Sequence, residues 1–259
     1  MGKPILLLRL EGPLQSWGVR SRWDVRDTTH EPTKSGIIGL LGCALGYPTG
    51  DERLQVLAGL LRLGVRIENA GAVISDYQTI TDFLPTADGR FRVSGGTLNG
   101  PASKLAEEGF KPATILSPRF YLEDAAFLAA LEAREGAEAS PQVLADCARA
   151  LQNPRWPLFL GRKACVPTRP IYEGLPERYE SIEDALRRHP WSWLGACKAP
   201  RAPRPEVELA AYIEDEGGSL SRQDAIALSS ARTFGFRRVR EEFFPAVLSV
   251  EPAVEVEDE

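Results

Sequence analysis

PTKSGIIGLLGCALG, residues 32–46, is the stretch on which the reading of this chain turns. Ile37, Ile38, Leu40, Leu41 and Leu45 make it look helical, yet Gly36, Gly39, Gly42 and Gly46 recur at spacings of three, three and four. Glycine inside a helix costs about 1 kcal/mol relative to alanine. At 100° per residue the four glycines share one arc of about 120°, and the aliphatic side chains fill the opposite side. The segment is a two-faced helix, apolar on one side and bare on the other. A bare face lets another backbone, or a phosphate chain, come very close. Lys34 and Ser35 stand at its start, where unpaired N–H groups and the positive end of the helix dipole favour an anion. Two explanations fit these residues about equally: an anion seat, or tight helix-on-strand packing with Ser35 as an ordinary cap. The GxxxxGK[ST] order of a P-loop is absent.

Outward from this helix, Ile5 to Leu10 is a short apolar run and reads as a buried first strand. Residues 11–27 read as loop. Leu54, Leu57, Leu60 and Leu61 predict a second helix over 52–63, stopped by Gly64, with a strand opening at 65–67. Between residues 83 and 112 periodicity dissolves into the turn pairs Asp88-Gly89, Gly95-Gly96 and Asn99-Gly100. Its flanks, DYQTIT (76–81) and RFYLED (119–124), are strand-like. A long hairpin projecting from the body is the simplest geometry. Residues 125–132 fit helix or strand. Ser140-Pro141 starts a clear helix with Val143, Leu144, Cys147 and Leu151 as its buried stripe. WPLFLG (156–161) reads as a short strand, 181–189 as a capped helix, 198–205 as an extended linker and 207–214 as a strand. Residues after Arg232 read as irregular and basic.

The order approximates βαββαβ, the ferredoxin-like (RRM-like) arrangement. The fold class is α+β: a palm over 1–81 and 119–175, a protruding β-hairpin thumb over 82–118, a C-terminal extension over 176–250 and an acidic tail over 251–259.

The 259 residues, 43% hydrophobic and 26% charged, suit one large globular domain. No apolar run approaches the ~20 residues of a membrane helix, and the opening reads as neither signal nor anchor, which places the chain in the cytoplasm. Cys43, Cys147, Cys165 and Cys197 form no close pair, so they read as free thiols rather than zinc ligands. The net charge is −5, and the five acids of the tail (Glu251, Glu255, Glu257, Asp258, Glu259) account for all of it. A neutral body argues against a non-specific polyanion binder, but not against one defined nucleic acid held in one place.

Four blocks, LRLEGPLQSWG (8–18), PTKSGIIGLLGCALG (32–46), DYQTIT (76–81) and FLGRKACVPTRPI (159–171), resemble the CasD family in the family's own order. That family supplies the subunit of type I-E CRISPR Cascade that holds the 5′ handle of the guide RNA (crRNA). The resemblance implies a ferredoxin-like palm, a hairpin thumb pressed against the guide, and no catalysis, cofactor or metal. It also implies contacts with the backbone subunit CasC and the large subunit CasA, a capping place on the backbone filament, and an indirect relation to target DNA.

On that basis the RNA-binding candidates are Gln15, Trp17, Lys34, Ser35, Gly36, Gly39, Tyr77, Arg119, Arg162 and Lys163. Gln15 suits a base edge or a sugar. Trp17 suits stacking on a base, though capping the core beside Gly18 is slightly favoured. Arg162 and Lys163 lie in a stretch, 155–170, with Arg155 and Arg169 and no acid. Arg232-Thr-Phe-Gly-Phe partly mimics the RNA-recognition signature but departs from it at Thr233, and reads as coincidence. The alternative function is a metal-independent endoribonuclease acting on CRISPR repeat RNA, with His30, Lys34 and Tyr77 as its acid–base groups.

Overall fold

A computed structural model describes residues 2–19, 25–134, 140–192, 207–228 and 233–247. In chain order its elements are β1 (Leu6–Glu11), β2 (Leu14–Gln15), α1 (Lys34–Leu45), α2 (Glu52–Leu60), β3 (Leu61–Asn69) and β4 (Ala72–Asp82). Next come β5 (Phe91–Val93), β6 (Gly96–Leu98), α3 (Ala102–Glu107), β7 (Ala113–Glu123), β8 (Ala126–Ala133) and α4 (Ser140–Gln152). The described chain closes with β9 (Tyr172–Gly174), α5 (Ile182–Arg188), β10 (Glu208–Glu214), β11 (Leu220–Leu228) and β12 (Thr233–Pro245).

Seven strands form one sheet in the order β11-β12-β10-β3-β8-β1-β9, with antiparallel neighbours throughout. β1 is buried along its whole length because both faces of the sheet are covered. Leu6, Leu8 and Leu10 pack with α1, α2 and α4, while Ile5 and Leu7 pack with α5. That two-sided cover is why the strand reads as an unbroken apolar run rather than an alternating one. On the α5 side the sheet also buries ions: Arg9 pairs with Glu68 at 2.9 Å and with Glu173 at 3.0 Å, and Arg66 pairs with Glu68 at 2.7 Å.

β4 and β7 pair in register from Ala72↔Glu123 to Asp82↔Ala113. β2 covers only the base of this ribbon, and most β4 side chains face solvent, so the ribbon leaves the body as the turn signals and their flanks predict. Its distal part is not structureless. It holds the β5–β6 hairpin and α3, with Gly89 at φ 79° in a turn.

Three sequence readings need correction, and one open reading is resolved. α2 ends at Leu60 and β3 begins at Leu61, because the chain turns straight into sheet pairing with β8 and overrides the leucine stripe. The open helix-or-strand reading of 125–132 resolves to strand from Ala126 to Ala133, pinned between β1 and β3. WPLFLG is not a strand; Pro157 within it has no N–H to donate to a ladder. Residues 233–245 are not irregular but a 13-residue strand, stabilised by pairing with both β10 and β11. The acidic tail, the linker 198–205, Cys197 and Arg232 lie outside the described residues.

Candidate nucleic-acid interface

Thr33 caps α1: its Oγ1 accepts the Gly36 N–H at 3.2 Å. Ser35, the predicted cap, instead lies half-buried beside it. The predicted anion seat is taken by the chain's own carboxylate. Asp224 of β11 accepts the Lys34 N–H at 2.6 Å and is held by Arg237 at 2.6 and 2.9 Å. The Lys34 ammonium points inward, where it donates to Glu214 at 2.9 and 3.0 Å and to the Leu61 carbonyl at 2.9 Å. Burial pushes its pKa below the usual lysine range, and Glu214 opposes that shift. Lys34 therefore docks the C-terminal strands onto α1 and presents no cation to a ligand.

Most of the glycine stripe is likewise spent on the chain itself. A Cβ at Gly36 would lie 2.8 Å from the Trp17 ring, one at Gly42 2.3 Å from Leu54, and one at Gly46 2.8 Å from Arg155. Gly39 alone of the four meets nothing within 4 Å. Close packing thus accounts for three glycines, though against a loop tryptophan, α2 and a loop arginine rather than the expected strand, and Gly39 keeps an open face.

Gln15 and Trp17 are corrected in the same sense. The Gln15 amide donates to the Leu10 carbonyl at 3.1 Å and the Ala125 carbonyl at 2.6 Å, while its oxygen accepts the Trp17 indole N–H at 3.0 Å. Both side chains are buried, so Gln15 is a staple between β1 and Ala125 just ahead of β8, and Trp17 is the lid that needs Gly36 beneath it. Arg162 is a brace. Its guanidinium donates to the carbonyls of Phe120, Arg26 and Asp27 and lies 4.6 Å over the Tyr121 ring. Arg119, half-buried on β7 opposite Asp76, sits at the same ribbon base, bridged to Arg26.

Exposed candidates remain. Lys163 is exposed and makes no ion pair or hydrogen bond among the described residues. Tyr77 projects from β4 opposite Pro118 and is 66% exposed. His30 is exposed, but Lys34, its proposed acid–base companion, is held by Glu214.

Residues 155–161 run beside α1. The Arg155 N–H donates to the Ala44 carbonyl at 2.9 Å, the Pro157 carbonyl lies 3.3 Å from Cys43 Sγ, and the Leu160 carbonyl accepts the Ser16 N–H at 3.0 Å. This segment begins at the C-terminal end of α1 and finishes beside Trp17, which lies on Gly36 at the opposite end. Gly39, one turn before Cys43 on the same face of α1, therefore opens beside this segment, which Lys163 follows in the chain. Arg155 and Trp156 are exposed there, in a loop where the sequence predicts a strand from Trp156. Its flanking prolines were the signal for an exposed loop. Among the described residues no group of His, Cys, Asp and Glu is placed to hold a metal, and no helix is long and apolar enough to cross a membrane.

A family profile described as CRISPR-associated protein (Cas_Cas5) matches residues 5–240. The chain belongs to the CRISPR-associated Cas5 family. Among relatives of this Cas5-family chain, the CRISPR system Cascade subunit CasD of Escherichia coli (strain K12) is 34% identical over 191 residues, covering 71% of the chain and 77% of CasD. A solved structure titled "Crystal structure of Cas protein" superposes with a TM-score of 0.65 at 35% identity, covering 96% of this chain and all of the other. A chain of a "CRISPR RNA-guided surveillance complex" superposes with the same TM-score at 26% identity, covering 93% of this chain and 90% of that one.

Proposed function

We propose that this chain is a non-catalytic RNA-binding subunit of a type I-E Cascade surveillance complex, holding the 5′ handle of the crRNA and capping the backbone filament. Its kinship with CasD and with a chain of an RNA-guided surveillance complex supports membership of such an assembly. In this reading β9-β1-β8-β3 with α1 and α4 is the ferredoxin-like palm, since it carries the 4-1-3-2 order of a βαββαβ unit. The β4–β7 ribbon is the thumb, and CasC and CasA are the neighbours.

The observation that carries the RNA contact is the open surface at Gly39 bordered by residues 155–163. No acid stands between Asp146 and Glu173 in the chain, so phosphates would meet no carboxylate from this segment. The test is guide-loaded assembly with Lys163→Ala and Tyr77→Ala combined. Reduced crRNA retention in an otherwise intact complex is the expected result; full retention contradicts the assigned surface. The endoribonuclease alternative loses support because the Lys34 ammonium is not free to move protons. Incubating the chain with repeat RNA in the absence of metal tests it directly.

A further inference from the structure

We infer that Trp156 is a preorganised stacking platform for one unpaired base of the bound RNA, with Arg155 and Lys163 supplying the phosphate contacts on either side. This rests on the RNA-binding reading above. Trp156 is 41% exposed, an unusual position for the largest apolar side chain. Its backbone, however, is not loose. The neighbouring Arg155 N–H is bound to Ala44 at the end of α1, and the Pro157 carbonyl is bound to Cys43, the residue before Ala44. Pro154 and Pro157 further restrict the chain on both sides of the ring. A residue whose backbone is fixed before the ligand arrives loses less conformational freedom on binding, which favours stacking.

The charge around the ring selects the occupant. Arg155 is exposed and its aliphatic stem rests on Gly46, which sends its guanidinium outward. Lys163 is exposed within the same acid-free segment. An exposed aromatic ring in a segment that carries exposed cations and no carboxylate matches a single-stranded nucleic acid, whose bases stack and whose phosphates need cations. The open backbone at Gly39, across Cys43 from Pro157, leaves room for the strand to lie against α1.

The experiment measures binding of the full chain to a fluorescently labelled single-stranded repeat RNA across a salt series, for the natural protein, Trp156→Ala, Trp156→Phe and Lys163→Ala. Trp156→Ala is expected to weaken binding roughly 5- to 150-fold without changing the salt slope, because stacking releases no counterions. Trp156→Phe is expected to recover most of the loss. Lys163→Ala is expected to lower the slope by about one. If the natural chain binds and Trp156→Ala binds equally well, the stacking platform is overturned while RNA binding stands. If Trp156→Ala binds RNA normally but no longer assembles with its partner subunits, the ring is a protein contact and the inference is again overturned. If the natural chain binds no RNA, the functional reading itself is overturned.

Discussion

The Asp224 carboxylate accepts the backbone N–H of Lys34 at 2.6 Å, so the positive end of α1 is neutralised from within the chain. The two residues are 190 positions apart in sequence. A helix start that looks like an anion seat in sequence is thus the place where the C-terminal strands are fastened. Glu214 completes the fastening by binding the Lys34 ammonium and the Leu63 N–H, and Arg134 pairs with the same carboxylate.

Lys34→Ala is expected to destabilise the chain by about 3 kcal/mol, since removing one partner leaves the buried Glu214 charge supported only by Arg134 and one N–H. Urea unfolding followed by circular dichroism reads this as a lower midpoint. Its RNA affinity, measured where it is still folded, is expected to match that of the natural chain.

Gly39→Ala is expected to raise stability by up to about 1 kcal/mol, because its Cβ meets open space and alanine is the better helix former. Gly42→Ala is expected to be the less stable of the two, because its Cβ would meet Leu54 at 2.3 Å. Gly39→Glu should leave the thermal midpoint near that of the natural protein and weaken RNA binding by placing a carboxylate on the open surface. Unchanged affinity would remove Gly39 from the interface.

Arg162 and Lys163 are adjacent yet should behave differently. Arg162→Ala is expected to cost about 1–3 kcal/mol, because it strips three carbonyls at the ribbon base of their charged donor. Arg162→Lys should not restore the fork. Lys163→Ala should change stability by less than about 0.5 kcal/mol, as for other exposed positions. Chemical denaturation of the two variants side by side separates brace from contact.

Glu173 should govern part of the acid limb of stability. Its carboxyl is brought from 4.5 down to about 2, first by the hydrogen bond from His189 Nε2 at 3.1 Å and then by Arg9, against the opposing effect of burial. A carboxyl lowered on folding stabilises the native state above its unfolded value and loses that contribution as pH falls toward the folded one. The loss should therefore run from about pH 4.5 down to about pH 2. Glu173→Gln should be less stable at neutral pH and show a shallower decline over that window in pH-dependent thermal unfolding.

The local elements were legible in the sequence where periodicity, caps and turns agree. The apolar run of β1, the Ser181 cap of α5, the buried stripe of α4 and the turn signals of the ribbon each depend on neighbours a few residues away. The four ordered blocks likewise made the family legible, and the family profile bears that out. Pairing between distant segments was not legible. Nothing near Thr233 announces a 13-residue strand, because that strand exists only through its ladders to β10 and β11. Nor do the residues around Lys34 reveal that two distant carboxylates claim its N–H and its ammonium. A sequence displays which groups can attract an anion, a base or a side chain. Whether those groups are already satisfied depends on what the fold brings within 3 Å of them, and here it satisfied Lys34, Gln15, Trp17 and Arg162 internally while leaving Gly39, Tyr77, Lys163 and Trp156 open to solvent.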